Sequence, residues 1–122
     1  MFSFLTDLFK PKPPVAPPIT SETSMSVGLV DIGPFFTVLS NNGRFGLPSE
    51  LSDFMKTEVA TLNVEDTKRW KISGDFDGSA MDVEIEVFLD ERDEALLSFF
   101  SSKSVIDEIE KELTAFAENM GR

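Results

Sequence analysis

Apolar residues recur along the chain with two different periods, which predict where strands and helices form. From residue 81 to residue 89 every second position is apolar, as in a strand with one buried face. Residues 67–73 and 94–101 show a looser version of the same pattern, and 27–32 and 35–40 are short apolar runs. These five ranges are predicted to be strands.

Apolar residues three or four positions apart predict two helices. The first opens at Pro48 and Ser49, which suit the first turn and the cap of a helix, and continues to about residue 62. The second opens at Ser104, which together with Asp107 resembles a capping box. Its apolar stripe consists of Val105, Ile106, Ile109, Leu113, Phe116 and Met120.

The order β-β-α-β-β-β-α predicts an α+β fold, in which an antiparallel sheet of about five strands carries two helices. In the last strand, Leu96 and Phe100 fall on the opposite side from Leu97 and Phe99. We therefore expect this strand to be covered on both faces.

The first ten residues separate into an apolar and a polar side when they are placed on a helical wheel. The apolar side consists of Met1, Phe2, Phe4, Leu5, Leu8 and Phe9. Five prolines within residues 11–18 make the next segment an extended spacer. We predict an amphipathic docking helix over 1–10, a Pro-rich and polar linker over 11–25, and a single α+β domain over 26–122.

An apolar helix face of this length needs a cover, because ten residues form a marginal helix in water. It could fold back onto its own domain, dock on another protein or on a second copy of the chain, or insert into a membrane surface. The membrane alternative is the weakest, because such helices usually carry a basic polar face and only Lys10 and Lys12 serve here.

The charge balance is acidic, with 11 basic and 22 acidic residues and a net charge of −11. Such a surface repels phosphate backbones and anionic headgroups, which disfavours generic nucleic-acid or membrane binding. One alternative function follows, an acidic decoy that mimics nucleic acid in a basic groove. It would need Asp82, Glu84 and Glu86 to adjoin the acidic face of residues 107–118.

The chain has no His, Cys or Tyr, so histidine general bases, thiol nucleophiles and the usual zinc sites are excluded. A small enzyme that uses only carboxylates and Lys stays as an alternative, and we expect neither catalysis nor a cofactor. The absence of Cys is compatible with a reducing compartment, and we expect a cytoplasmic protein.

The stretch around Asp75 and Asp77 offers oxygen ligands with part of the spacing of a calcium loop, but Ala80 stands where such loops need Gly. Its flanks alternate with period two, which predicts a hairpin tip instead. We predict Ile72 opposite Met81, with Trp70 facing Val83, Lys71 facing Asp82 and Arg69 facing Glu84. A weak cation site at Asp75 and Asp77 stays as the alternative.

Two further features favour plain structural roles. Gly43–Arg44–Phe45–Gly46 resembles a loop that clamps nucleic acid, but it carries a single cation in an acidic chain and is predicted to be a turn. Trp70 is predicted to lie in the core.

The leading hypothesis is a non-enzymatic protein-binding or assembly subunit that uses residues 1–10 as a tethered docking element.

Overall fold

The computed structural model describes residues 17–120, which form an antiparallel sheet with helices packed on one face. The strands are β1 (Ser21–Gly28), β2 (Phe45–Gly46), β3 (Thr67–Phe76), β4 (Ser79–Glu91) and β5 (Glu94–Ser101), and the helices are α1 (Ile32–Asn41), α2 (Leu51–Val59) and α3 (Lys103–Met120). The strand order is β1-β5-β4-β3-β2. The α+β class is therefore confirmed, while the predicted helix over 1–10 and the start of the spacer lie outside the described residues.

Helix α1 replaces the strand that we predicted over 35–40. Its buried residues include Ile32, Phe35, Phe36 and Leu39, which recur at the three- and four-residue spacing of a helix. The strand prediction was wrong because it rested on a short apolar run, which a buried helix segment produces as well as a strand. Pro34 is accommodated because it lies in the first turn, where a missing N–H leaves no bond unmade.

Strand β1 begins six residues before the strand that we predicted over 27–32. It pairs along its whole length with β5, so residues 21–25, predicted as linker, belong to the sheet. The chain then leaves the sheet through a 3-10 helix, Leu29–Asp31, that leads directly into α1. Polar residues such as Ser24 hid this strand, because only Met25 and Val27 on its inner face are clearly apolar.

The other two helices follow the predicted stripes with shifted starts. Helix α2 begins at Leu51, and its cap position is Glu50, whose side chain makes no capping bond. Helix α3 begins at Lys103, so Ser104 lies inside the first turn and is not the cap. Asp107 is instead bound by the Lys103 ammonium at 3.1 Å.

The β3–β4 hairpin has the predicted faces, with its register displaced by two residues. Ile72 lies opposite Val83, and Gly74 takes the position opposite Met81. The turn consists of Asp77 and Gly78 alone, with φ of 53° and 81°. These are the positive angles that a two-residue hairpin turn requires, so the strands continue further towards the tip than predicted.

The buried residues form one cluster between the sheet and the helices. Phe35, Phe36 and Phe99 are completely buried, and the ring centroid of Phe35 lies 5.9 Å from those of Phe36 and Phe99. The prediction that β5 is covered on both faces is wrong at Leu96, although Ser98 on the same face is buried and Phe100 is half-buried. Leu97 is fully buried, whereas Leu96 is 39% exposed on the sheet face that carries no helix.

Candidate docking surface

Strand β1 has a free edge, because it pairs only with β5 within the described residues. The Leu29 amide donates to the Asp93 carbonyl at 2.8 Å, so Leu29 and Asp93 form a hydrogen-bonded pair. Since these pairs alternate along an antiparallel ladder, the backbone groups of Glu22, Ser24 and Ser26 point away from β5. These groups form a row that can accept a further strand.

The opposite edge of the sheet is protected by two features that β1 lacks. Strand β2 covers the end of β3, where Gly46 pairs with Asp75. The remaining length of β3 carries Lys68, Arg69 and Lys71, and charged residues on an edge oppose pairing with another chain. In β1 the only charged residue is Glu22. The two edges therefore differ in their readiness to bind a strand.

An apolar groove of about 390 Å³ opens where the chain leaves β1. Its lining residues come from the 3-10 helix and the two helices that follow: Leu29, Val30, Gly33, Lys56, Val59 and Ala60. Val30 is 83% exposed, the largest exposure among the large hydrophobic residues described as exposed. Lys56 is the one charged side chain in the lining, which makes this groove apolar with a cation at its margin.

The predicted docking residues of the N-terminal segment, Met1, Phe2, Phe4, Leu5, Leu8 and Phe9, lie outside the described residues. The chain enters the described domain next to the β3–β4 turn. Pro17 shares a small cavity with Asp77 and Ser102, and the Thr20 amide donates to the Ser101 carbonyl at 3.0 Å. The segment therefore joins the sheet at the end of β1 away from the apolar groove.

The predicted acidic residues of β4 lie on the sheet face without helices, where each has a nearby cation. Arg69 Nε is 2.7 Å from Glu84 Oε1, and its Nη1 is 3.5 Å from Glu86 Oε2. Lys71 Nζ lies 3.7 Å from Asp82 Oδ2. The predicted pairs of Arg69 with Glu84 and of Lys71 with Asp82 therefore form diagonally across the hairpin, although the register is displaced.

The acidic face of α3 does not adjoin this row. Residues Ile109 and Leu113 of α3 are buried with Val83 and Ile85 of β4 in the same core cluster. Because side chains alternate along a strand, Glu84 and Glu86 project from the other side of the sheet. The two acidic sets thus lie on opposite sides of the domain.

Asp77, one of the two candidates for a weak cation site, is bound by Arg44. The guanidinium contacts the carboxylate through two bonds of 2.9 and 2.7 Å, and this hydrogen bonding lowers the pKa of Asp77. Asp75 is paired with Ala80, the second pair of the hairpin ladder counted from the turn. In the described part of the chain, no group of three or more acidic side chains is placed to hold a metal ion.

Arg44 also binds Glu108, a buried acidic residue of α3 that the sequence did not single out. Its Nη1 donates to Glu108 Oε1 at 2.8 Å, and Asn42 Nδ2 donates to Glu108 Oε2 at 2.8 Å. The guanidinium carbon lies 4.6 Å from the centre of the Phe76 ring. Arg44 therefore joins the turn after α1, the hairpin tip and α3. The predicted turn over Gly43–Gly46 is right only for Gly43 and Arg44, because Phe45 and Gly46 pair with β3 as the unpredicted strand β2.

Trp70 lies at the margin of the core and is half-buried. The rings of Trp70 and Phe54 are nearly perpendicular, with 6.4 Å between centroids, and the indole N–H of Trp70 donates to Glu58 at 3.4 Å. Lys68 donates to the same Glu58 oxygen at 2.7 Å. Hydrogen bonds from Lys68 and then from Trp70 lower the pKa of Glu58.

A shallow depression along the exposed face of α3 bears on the enzymatic alternative. It is lined by Asp107, Glu110, Lys111, Thr114, Ala115 and Glu118. A carboxylate-dependent enzyme needs a concave site with acidic groups that lack basic neighbours. Lys111 lies in this lining and Lys103 binds Asp107, so the depression does not meet that requirement.

Comparison with protein-family models, with curated proteins and with solved structures gave no match. Among the described helices, none combines the length and the apolar character that are needed to cross a bilayer.

Proposed function

We propose that this protein is a docking or assembly subunit whose N-terminal segment, residues 1–10, is captured by a protein partner. The observation that carries the proposal is the separation of six apolar side chains onto one face of a ten-residue helical wheel, followed by a Pro-rich spacer. An amphipathic helix of this kind binds by laying its apolar face into a hydrophobic groove.

Two features of the described domain support this proposal: the place where the spacer joins it and the unpaired edge of β1. The spacer over 11–18 leads to Pro17, which lies beside the β3–β4 turn. Strand β1 begins a few residues later at Ser21, and the backbone groups on its free edge can add contacts to those of the segment. Tethering makes the second contact intramolecular and raises its effective concentration, which strengthens a weak helix contact.

The acidic-decoy alternative receives less support from the geometry. A mimic of nucleic acid needs carboxylates concentrated on one face. Here the β4 row is paired with Arg69 and Lys71, and the acidic face of α3 lies on the other side of the sheet.

Affinity capture from an extract of the source cell tests the proposal with two matched full-length variants. Phe2→Ser combined with Leu5→Ser and Phe9→Ser removes half of the apolar face, whereas Ser3→Ala with Thr6→Ala changes only the polar face. We expect the first variant to lose its captured partner and the second to keep it, with the same thermal unfolding for both. Undiminished capture by the serine variant would refute the docking role.

A further inference from the structure

We propose that the free edge of β1 binds an extended segment of another protein, which pairs antiparallel with β1, places apolar side chains beside α3 and carries a basic residue near each end. This site is distinct from residues 1–10, on which the proposed function depends. Three observations carry the proposal: the unpaired backbone groups of β1, a pocket next to them, and acidic groups at both ends of the edge.

The backbone of β1 offers hydrogen bonds to an added strand. Bonded pairs alternate along the β1–β5 ladder, so the N–H and C=O groups of Ser24 and Ser26 point away from β5. A strand that bonds to these groups sets its own residues opposite Met25 and Val27. Residues directly opposite each other project to the same face of a sheet, which here is the face covered by helices.

A pocket on this helix-covered face lies directly beside the edge. It is lined by Met25 and Val27 of β1 and by Phe116 and Ala117 near the end of α3. Met25 and Val27 pair with buried residues of β5, which places their side chains on the helix-covered face. Side chains of an added strand that lie opposite these two residues therefore meet an apolar lining. The pocket favours a segment with two apolar residues two positions apart.

Acidic groups lie at both ends of the edge. At the end near α1, a carboxylate oxygen of Asp31 lies 2.7 Å from the position that a side-chain carbon of Gly28 would occupy, and Asp31 also lines the pocket. Asp31 makes no capping bond to α1, and within residues 17–120 it takes part in no ion pair. Glu22 at the other end is exposed. The two carboxylates complement cations placed opposite Gly28 and Glu22.

The β4–β5 turn makes the same end of the edge more negative. Glu94 pairs with Gly28, and residues 90–94 contain four acidic side chains against one basic side chain, Arg92. Complementary charge across an interface speeds association, and like charge rejects wrong partners. The edge therefore favours a basic segment over an acidic one.

Two other occupants fit this edge less well. A second copy of β1 that sets its Ser24 opposite Ser26 would bring its own Glu22 to Gly28 and the Asp31 carboxylate. The spacer over 11–18 contains five prolines, which lack the N–H groups that a strand ladder needs. The complementary occupant is therefore a basic segment of another protein.

The geometry of the edge defines a peptide probe. A strand antiparallel to β1 that starts opposite Gly28 and ends opposite Glu22 should have a basic residue first and last. Its second and fourth residues, opposite Val27 and Met25, should be apolar. The probe is therefore the capped peptide Lys-Val-Thr-Val-Thr-Thr-Lys. The control, Lys-Thr-Val-Thr-Val-Thr-Lys, has the same composition and charge but carries its valines on the sheet face without helices.

Binding to the full-length chain is measured by titration and by amide hydrogen exchange, both followed by NMR. We expect the probe to bind at least about fivefold more tightly than the control, because only its valines leave water for the pocket. We also expect the exchange of the Ser24 and Ser26 amides to slow when the probe binds. The amides of Met25 and Val27 already bond to β5, so their exchange should change little.

Asp31→Asn tests the charge match at the end of the edge near α1. Asp53→Asn is the matched control, because Asp53 is exposed on α2 and its substitution changes the net charge equally. We expect Asp31→Asn to weaken binding of the probe at least about threefold, and Asp53→Asn to leave it within about 1.5-fold.

Equal affinities for the probe and its control, or unchanged exchange at Ser24 and Ser26, would overturn the site. An equal loss of affinity in Asp31→Asn and Asp53→Asn would overturn its preference for a basic partner.

The serine variant of the N-terminal segment, with Phe2→Ser, Leu5→Ser and Phe9→Ser, separates this site from the proposed function. We expect it to bind the probe as tightly as the unmodified chain does, and weaker binding would overturn the independence of the two sites. A probe that binds neither chain overturns the β1 site and leaves the docking role of residues 1–10 in place. Undiminished capture of a partner by the serine variant refutes that docking role and leaves the β1 site in place.

Discussion

Arg44 binds Asp77 through two parallel bonds of 2.9 and 2.7 Å, which connects the turn after α1 to the tip of the β3–β4 hairpin. The same guanidinium donates to buried Glu108 of α3. Three segments that are distant in sequence thus meet at one side chain. The planar guanidinium can donate two parallel hydrogen bonds to a single carboxylate, as it does here to Asp77.

We predict that Arg44→Lys lowers the urea midpoint of unfolding more than Asp77→Asn does. Lysine cannot hold both carboxylates in one plane, so buried Glu108 loses a charged donor. Asparagine at 77 removes one exposed carboxylate and still accepts the positive φ of the turn. Urea unfolding followed by Trp70 fluorescence measures both variants. An equal or larger loss in Asp77→Asn would contradict the central role of Arg44.

The acid dependence of stability follows from two carboxyl groups whose pKa values are lowered in the folded state. Hydrogen bonding lowers the pKa of Asp77 through Arg44, and that of Glu58 through Lys68 and then Trp70. For a lowered pKa the stabilisation is complete above the unfolded value, near 4, and is lost as the pH falls through the folded value.

We therefore predict that the difference in unfolding free energy between the unmodified chain and an Asp77→Asn, Glu58→Gln variant is constant near neutral pH. It should narrow as the pH falls from about 5 to about 2. Urea titrations at several pH values measure this difference. A difference that widens in acid would show that these two groups have raised pKa values instead.

The sequence predicts those parts of the fold whose burial pattern repeats over neighbouring residues, and it fails where contacts between distant segments decide the structure. Strand β4 was found because one residue in two is buried from Met81 to Leu89, which the alternation of apolar residues records directly. Strand β3 gives a weaker form of this signal through half-buried Trp70 and Ile72. The hairpin register was missed by two residues because Asp77–Gly78 was not recognised as a complete turn, although Asp-Gly is a strong signal for one.

The missed features depend on contacts between distant segments. The strand prediction over 35–40 rested on a short apolar run, whereas packing of Phe35 and Phe36 against Phe99 favours the helix. Glu108 resembles the other acidic residues of α3 in sequence, and only its position beside Asn42 and Arg44 makes it buried. Likewise, the groove at Val30 is formed by residues 29–33 and 56–60, two segments at least 23 residues apart, so no local pattern records it.

We predict that position 74 of β3 requires glycine, because the backbone of β2 approaches it closely. A side-chain carbon added at this residue would collide with the carbonyl oxygen of Gly46, and backbone atoms cannot move aside cheaply. We expect Gly74→Ala to lower the unfolding free energy by about 1–3 kcal/mol, as overpacking does. Gly43→Ala is the matched control, because no atom lies within 4 Å of the added carbon. Similar urea midpoints for the two variants would argue against this tight β2–β3 contact.

Arg69 lies on the sheet face that carries no helix, and we predict that its contribution to stability is small. It contacts Glu84 and Glu86, and its guanidinium carbon lies 4.1 Å from the centre of the Phe100 ring. Exposed ion pairs contribute about 0.2–1 kcal/mol, so we expect Arg69→Met, which keeps the apolar stem over Phe100, to lose no more than about 1 kcal/mol. Because salt screens exposed charges, this loss should shrink when urea unfolding is repeated in about 1 M NaCl. A larger loss that salt leaves unchanged would mean that the contact between the guanidinium and the Phe100 ring, which Met lacks, supplies most of the stabilisation.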